Sequence, residues 1–187
     1  MYCYNAWKNH GESIPTELNT KDTINMLETA FQQMHPKRFF FSGGEPFMRP
    51  DLRDLIQFVH TKKIPISIIS NGALLEDDDF HFCRQNGVDT FEFTLLSSDK
   101  KIHNELARPK SNFSAFDNAI LATQKALQYH FNVVHVFVAT HKNVKTLPTT
   151  LELSYALGVR TFLLNRFNPA GEGAKHLQEQ IGRASCR

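Results

Sequence analysis

The chain has 187 residues, 41% of them hydrophobic and 21% charged, with three cysteines and a formal net charge of +2 at pH 7. This size and composition are typical of one globular domain with its own core. The small net charge favours neither nucleic acid nor an anionic membrane as a partner, and no apolar run approaches the roughly 18–20 residues that span a bilayer.

Strand-like and helix-like segments alternate along the chain. Apolar residues at helical spacing predict helices, and short runs of apolar residues predict strands. Asn19 or Thr20 is expected to be the N-cap of the first helix. The predicted helices cover residues 20–34, 50–63, 77–86, 114–130 and 147–157, and the predicted strands cover residues 38–42, 65–70, 88–95, 133–139 and 160–164.

Repeated strand–helix units predict an α/β fold, with a parallel sheet and helices outside it. The strands at 39–41 and 66–69 are apolar on both faces, as parallel sheets require because other elements cover both of their faces. A polar or glycine-containing motif follows each strand. Since parallel α/β folds place their chemistry at the carboxyl ends of the strands, we expect the functional residues there.

Residues 39–46 read Phe-Phe-Phe-Ser-Gly-Gly-Glu-Pro and are the most informative motif. Gly43 and Gly44 lack a Cβ, so a ligand can approach their backbone closely. Glu45 can accept hydrogen bonds from an ammonium group, and Pro46 fixes the exit of the turn. A tight strand-to-helix turn with a capping acid is the alternative interpretation.

This motif resembles the Gly-Gly-Glu-Pro motif of radical S-adenosylmethionine (SAM) enzymes, in which it holds the amino group of SAM. Residues 2–5, Tyr-Cys-Tyr-Asn, resemble the end of that family's three-cysteine loop. The resemblance implies that Cys3 is a ligand of a [4Fe–4S] cluster and a catalytic residue. It also implies that the backbone of Tyr2 contacts the adenine of SAM. Only one of the three loop cysteines is then present, so we expect the fragment itself to be inactive.

Two further motifs extend the resemblance. Ser70 and Asn71, in Ser-Asn-Gly, are similar to the family's Thr-Asn-Gly, although a plain turn explains them nearly as well. Thr94 matches the serine that bonds SAM. Beyond it the chain departs from the family pattern, because Leu96 replaces the usual aspartate and Arg108 lies one position late.

Residues 165–171, Asn-Arg-Phe-Asn-Pro-Ala-Gly, resemble the family's sixth strand end. The resemblance matches Asn168 to an adenine contact and Arg166 to a partner for a carboxylate of SAM or substrate. A surface role for Arg166 remains open. His103 is interpreted as a structural loop anchor and Cys83 as a buried free thiol. Residues 77–79, three aspartates, are interpreted as the negative end of a helix.

The resemblance covers about residues 1–176 and implies a partial TIM-like (β/α)6 barrel that lacks its first strand. The implied reaction is reductive cleavage of SAM to a 5′-deoxyadenosyl radical, which abstracts hydrogen from a substrate. The motifs look most like the maturase branch that carries a C-terminal SPASM or twitch extension. The implied substrate is a peptide or small molecule, the electron donor is one such as flavodoxin or ferredoxin, and the location is cytoplasmic.

Several alternatives stay open. Within the family, the runner-up is the molybdenum-cofactor GTP cyclase. Outside it, the alternatives are a sugar-phosphate aldolase or isomerase barrel and a non-catalytic scaffold that has lost its cluster. The aldolase predicts a lysine at a strand end, whereas Lys62 and Lys63 lie at the end of a predicted helix.

Both ends of the chain are interpreted as artificial. Met1 falls inside the cysteine loop, and residues 181–187, Ile-Gly-Arg-Ala-Ser-Cys-Arg, match a translated sequencing adapter. The predicted organisation is a truncated core domain at 1–180 followed by an adapter-derived tail at 181–187.

Overall fold

The computed structural model describes residues 17–109, 113–168, 176 and 181. Tyr2, Cys3 and residues 182–187 lie outside the described residues. The helices are α1 (Thr20–Met34), α2 (Leu52–His60), α3 (Asp77–Gln85), α4 (Lys100–Ala107), α5 (Ala115–Gln128) and α6 (Leu147–Leu157). The strands are β1 (Phe39–Phe41), β2 (Ile66–Ser70), β3 (Val88–Thr94), β4 (Asn132–Ala139) and β5 (Thr161–Arg166), with short 3-10 helices at Pro46–Met48 and Val144–Thr146.

The described strands form one sheet in the order β1-β2-β3-β4-β5, and all neighbouring pairs are parallel. Each strand therefore lies beside the one before it in the sequence. That order is the order of a (β/α) barrel, whereas a doubly wound sheet reverses direction at a switch point. The predicted α/β fold with a parallel sheet is confirmed.

One face of the sheet packs against the helices and forms the core. Phe41, Ile68 and Phe91 lie on this helix face and are at most 9% exposed. Phe91 meets the ring of Phe131 edge-on at 4.9 Å between ring centroids, a favourable arrangement for two aromatic rings. Burial of these large side chains is the main term that stabilises the sheet.

The opposite face, which we call the cleft face, carries Ile69, Glu92 and Val136 and lines an open cleft. Phe40 belongs to this opposite side because it alternates with the core residues of β1. It is 50% exposed, so the expectation that both faces of β1 are covered was wrong.

Local signals explain most helix boundaries. The Asn19 side chain accepts a hydrogen bond from the Asp22 amide and caps α1, as predicted. Gly158, at φ +100°, ends α6 in the left-handed conformation that glycine adopts most easily. Met34, the last residue of α1, is 74% exposed.

Helix α4 was not predicted. It is eight residues long, and Asp99 caps it by accepting hydrogen bonds from the amides of Lys101 and Ile102. Among the described residues, no helix has the length and apolar character needed to cross a membrane.

Candidate functional site

The loop after β1 brings bare backbone to the edge of the cleft. Gly43 has a φ of +146°, a conformation that disfavours any side chain, and Gly44 has no such restriction. A Cβ built at either glycine meets no heavy atom within 4 Å. The space beside this backbone is therefore open to a ligand.

Glu45 ties this loop to the end of β2. Its Oε1 accepts hydrogen bonds from the Ser70 hydroxyl at 2.8 Å and from the Phe47 amide at 3.3 Å, and its Oε2 accepts one from the Asn71 amide at 2.8 Å. Burial raises the pKa of Glu45 above the ordinary carboxyl value, and the hydrogen bonds from Asn71, Ser70 and Phe47 oppose that shift. The charge is thus held in place without a cationic partner among the described residues.

The Ser-Asn-Gly motif after β2 forms a compact turn. The Ser70 hydroxyl accepts a hydrogen bond from the Gly72 amide at 3.0 Å, and the Asn71 side chain accepts one from the Ala73 amide at 2.8 Å. Gly72 has a φ of +77°, and a Cβ there would lie 2.7 Å from the Ala122 Cβ. Glycine is therefore required at this position by both backbone conformation and space.

Buried polar side chains hold the ends of β3 and β4 together beside the cleft. Asn143 donates to the carbonyls of Leu96 at 2.7 Å and Val138 at 2.9 Å and accepts from the Thr140 amide at 2.7 Å. His103 accepts a hydrogen bond from the Leu96 amide through Nδ1 at 3.2 Å. His103 therefore has the anchoring role expected of it, but it lies within α4 and not in a loop.

Burial lowers the pKa of His103 to about 4. The imidazole is consequently neutral near pH 7, which suits its use as a hydrogen-bond acceptor. Together with Asn143 it fixes the loop that follows Thr94.

These elements surround a cleft of about 490 Å³ at the carboxyl ends of the strands, within the size range of small-molecule sites. Every strand or the loop after it contributes to the wall. The lining residues are Ser42, Gly43, Gly44, Ile69, Ser70, Asn71, Glu92, Thr94, Val136, Val138, Leu163, Asn165, Arg166 and Asn168.

The structure brings together most of the predicted site residues that it describes. Those in the wall of the cleft are Gly43, Gly44, Ser70, Asn71, Thr94, Arg166 and Asn168. Glu45 and Pro46 are next to the wall but are not lining residues: Glu45 bonds to the turn after β2, and Pro46 is buried in the first 3-10 helix. Arg166 is exposed and lines the cleft, a position that is compatible with both interpretations offered for it.

Glu92 is the charged lining residue that sequence reasoning missed. It lies in the middle of β3, between Phe91 and Phe93, which are both fully buried on the helix face. The alternation of residues along a strand places its carboxylate on the opposite, cleft face. A charged residue within a strand of buried aromatics was the available signal.

The residues interpreted as structural have structural contacts. Cys83 is fully buried, and burial raises the pKa of its thiol to about 12, so it remains an unreactive thiol. Asp78 and Asp79 both pair with Arg53 on α2, at 2.6 Å and 2.8 Å. These contacts connect the first turn of α3 to its neighbouring helix.

Comparison with known proteins gives matches over most of the chain. Residues 1–153 match the model of the radical SAM superfamily. A probable GTP 3′,8-cyclase from Methanopyrus kandleri is 30% identical over 153 residues, which are 81% of this chain and 47% of that protein.

Solved structures with the same fold include Streptococcus suis SuiB bound to its precursor peptide SuiA. That structure has a TM-score of 0.75 at 15% identity and matches 97% of this chain and 38% of its own. Methylornithine synthase PylB has a TM-score of 0.70 at 16% identity and matches 95% of this chain and 53% of its own. AnSMEcpe with bound AdoMet has a TM-score of 0.69 at 15% identity and matches 89% of this chain and 47% of its own. The chain spans about half the length, or less, of these relatives.

Proposed function

Because this chain belongs to the radical SAM superfamily, we propose that it forms the SAM-binding core of an enzyme that generates a radical for hydrogen abstraction. The family uses SAM and a [4Fe–4S] cluster, which together supply a 5′-deoxyadenosyl radical by reductive cleavage of SAM. The protein's part is to bind, orient and exclude water. The observation that carries the proposal is that seven of the residues predicted to bind SAM line the same cleft.

The residues of the cleft fit SAM in size and chemistry. The backbone at Gly43 and Gly44 is open, as a closely approaching ligand requires. Opposite it, Thr94 and Asn168 supply hydrogen-bonding side chains, and Arg166 supplies a cation for a carboxylate. Val136 and Val138 offer an apolar wall on which an adenine ring can lie.

Iron binding is assigned to Cys3 on its sequence context alone, since that residue lies outside the described residues. Among the described residues, no group of three or more histidine, cysteine or acidic side chains is arranged to hold a metal ion. The proposal therefore places the thiolate ligand at Cys3, and the backbone of Tyr2 beside the adenine.

Peptide modification is the activity we favour, with a small-molecule substrate as the broader class. Its support is the motif resemblance to the maturase branch and the similarity in fold to SuiB, which has been solved with its precursor peptide. GTP cyclisation is the second candidate, because a probable GTP 3′,8-cyclase is 30% identical.

The charge of the cleft argues against a triphosphate. Arg166 is the only cationic side chain among the described lining residues, and Glu92 adds a negative charge to the floor. A triphosphate would need more cationic groups than this wall offers.

Substitution of Gly44 tests the SAM site without disturbing the fold. A valine there requires no positive φ, and its Cβ meets nothing within 4 Å, so it projects into the cleft. We expect Gly44→Val to melt close to the wild-type temperature but to weaken SAM binding by more than tenfold in calorimetry. Gly44→Ala should have a smaller effect of the same sign. Wild-type SAM affinity in both variants would contradict the proposed site.

A further inference from the structure

Glu92 lies deeper in the cleft than the residues assigned to SAM. Thr94 ends β3 at the rim, and Glu92 is two residues earlier, about 6.6 Å nearer the amino end of the strand at 3.3 Å per residue. In the register of the sheet it lies between Ile69 on β2 and Val134 on β4. Its two cross-strand neighbours on the cleft face are therefore both apolar.

No described residue satisfies this carboxylate. Within residues 17–109 and 113–168, no side chain or amide donates a hydrogen bond to it. Burial raises the pKa of Glu92, and the nearby Arg38 guanidinium opposes that shift. Half-burial removes part of the hydration of this carboxylate, a cost in free energy that an ordinary surface glutamate does not have.

Arg38 is already engaged elsewhere. Its guanidinium donates to both carboxylate oxygens of Asp89, at 2.5 Å and 2.8 Å, and to the Ser67 hydroxyl at 2.9 Å. This bidentate pair commits the guanidinium to Asp89. Among the described residues that line the cleft, Glu92 is the one acidic side chain.

We infer that Glu92 is a specificity-determining residue that binds a cationic nitrogen group of the substrate, an ammonium or a guanidinium. The inference deepens the proposed function, on which it rests, because it names the chemical class of substrate that enters beyond SAM. A cationic side chain of a peptide or of an amino acid supplies both the charge and the hydrogen-bond donors that the carboxylate lacks. The apolar walls at Ile69 and Val134 then contact the methylene stem of that side chain.

A matched pair of ligands isolates the charge. N-acetyl-lysine N-methylamide and N-acetyl-norleucine N-methylamide have the same backbone and stem, and only the first carries an ammonium group. Binding is followed on the full chain by the carbon NMR signals of glutamate labelled at its carboxyl carbon, with the Glu92 signal assigned from its loss in Glu92→Gln.

We expect the lysine derivative to shift the Glu92 signal saturably and to bind about tenfold more tightly than the norleucine derivative. This tenfold ratio of the two affinities lies between the small effect of an exposed ion pair and the larger effect of a desolvated ion pair, because the carboxylate is half-buried. Glu92→Gln should abolish the preference. Glu152→Gln, the same exchange on the exposed side of α6, should keep it.

Three results would overturn the inference: equal binding of the two derivatives, a preference that persists in Glu92→Gln, or no shift of the Glu92 signal at the solubility limit of the lysine derivative. SAM affinity, measured in parallel by calorimetry, separates this inference from the proposed function. Normal SAM binding with no lysine preference refutes only the role of Glu92. Loss of SAM affinity in Glu92→Gln would assign the residue to SAM instead.

Discussion

The carboxylate of Glu45 offers the sharpest test of how the cleft binds SAM. It accepts three hydrogen bonds from the protein, two on Oε1 and one on Oε2. A carboxylate has about four lone-pair positions, so one on Oε2 remains for a further donor. We predict that the ammonium group of SAM takes that position.

Glu45→Gln removes the charge and changes one side of the group from acceptor to donor. Its amide oxygen can keep the hydrogen bonds from Ser70 and Phe47, but its amide nitrogen then faces the Asn71 amide. Loss of a charge-assisted hydrogen bond to SAM costs about 1.5–3 kcal/mol, or roughly ten- to a hundredfold in the dissociation constant. The loss in stability should be smaller, about 1 kcal/mol, because Asn71 is exposed and its amide can turn to water.

Calorimetry with SAM and thermal melts of the same full-length preparations give the two quantities. A 1 kcal/mol loss corresponds to a decrease of about 2–4 °C in Tm for a chain of this size. Glu105→Gln is the matched control, since it breaks an exposed ion pair with Lys142 away from the cleft. It should reduce Tm slightly and leave SAM affinity unchanged.

An unchanged dissociation constant for SAM in Glu45→Gln would refute the direct contact. Glu45 would then only position the turn after β2, as a capping acid would. A fall of Tm far larger than in the control, with affinity per folded molecule preserved, would lead to the same conclusion.

Two further predictions concern the packing around the cleft. Asn143→Ala should lower the free energy of unfolding by about 3 kcal/mol in urea melts, because it leaves buried carbonyl and amide groups without partners, whereas Asn25→Ala on the surface of α1 should have little effect. Burial lowers the pKa of His103 and His135 to about 4, below the ordinary 6.5. As the pH drops from about 6.5 toward 4, the unfolded chain therefore takes up protons before the folded chain does, and the free energy of unfolding should fall. Urea melts of wild type and His135→Gln across that range should show a shallower fall in the variant; parallel curves would contradict a neutral His135.

The order of elements could be predicted from local signals. Apolar periodicity and short apolar runs located five of the six described helices and all five described strands. Most of these elements have a buried face that marks the sequence, whereas β5 is largely exposed and was located by its apolar run alone. Asn19 and Gly158 marked helix ends through capping chemistry that acts within a few residues. Helix α4 escaped prediction because its short sequence carries only two buried side chains, His103 and Leu106, and its packing against α5 is tertiary.

Site residues could be predicted where they belong to a sequence motif. Contacts that depend on the pairing of strands could not be predicted. Gly43 and Gly44 were identified by their place after a strand, and Thr94 was identified by its match to a family motif. The bonds from Ser70 and Asn71 to Glu45 depend on β1 lying beside β2, which no local pattern specifies. Whether the cleft face is covered or open is likewise decided by distant parts of the chain.

We propose that this cleft binds SAM for reductive cleavage and that Cys3 is a ligand of the iron–sulfur cluster. The most direct measurement is the yield of 5′-deoxyadenosine from SAM by the anaerobic, full-length protein, reconstituted with iron and sulfide and supplied with a strong reductant. We expect wild type to form 5′-deoxyadenosine and Cys3→Ala to form none and to lose the absorption of the thiolate-ligated cluster. Product formation and an unchanged cluster spectrum in Cys3→Ala would show that Cys3 is not an iron ligand.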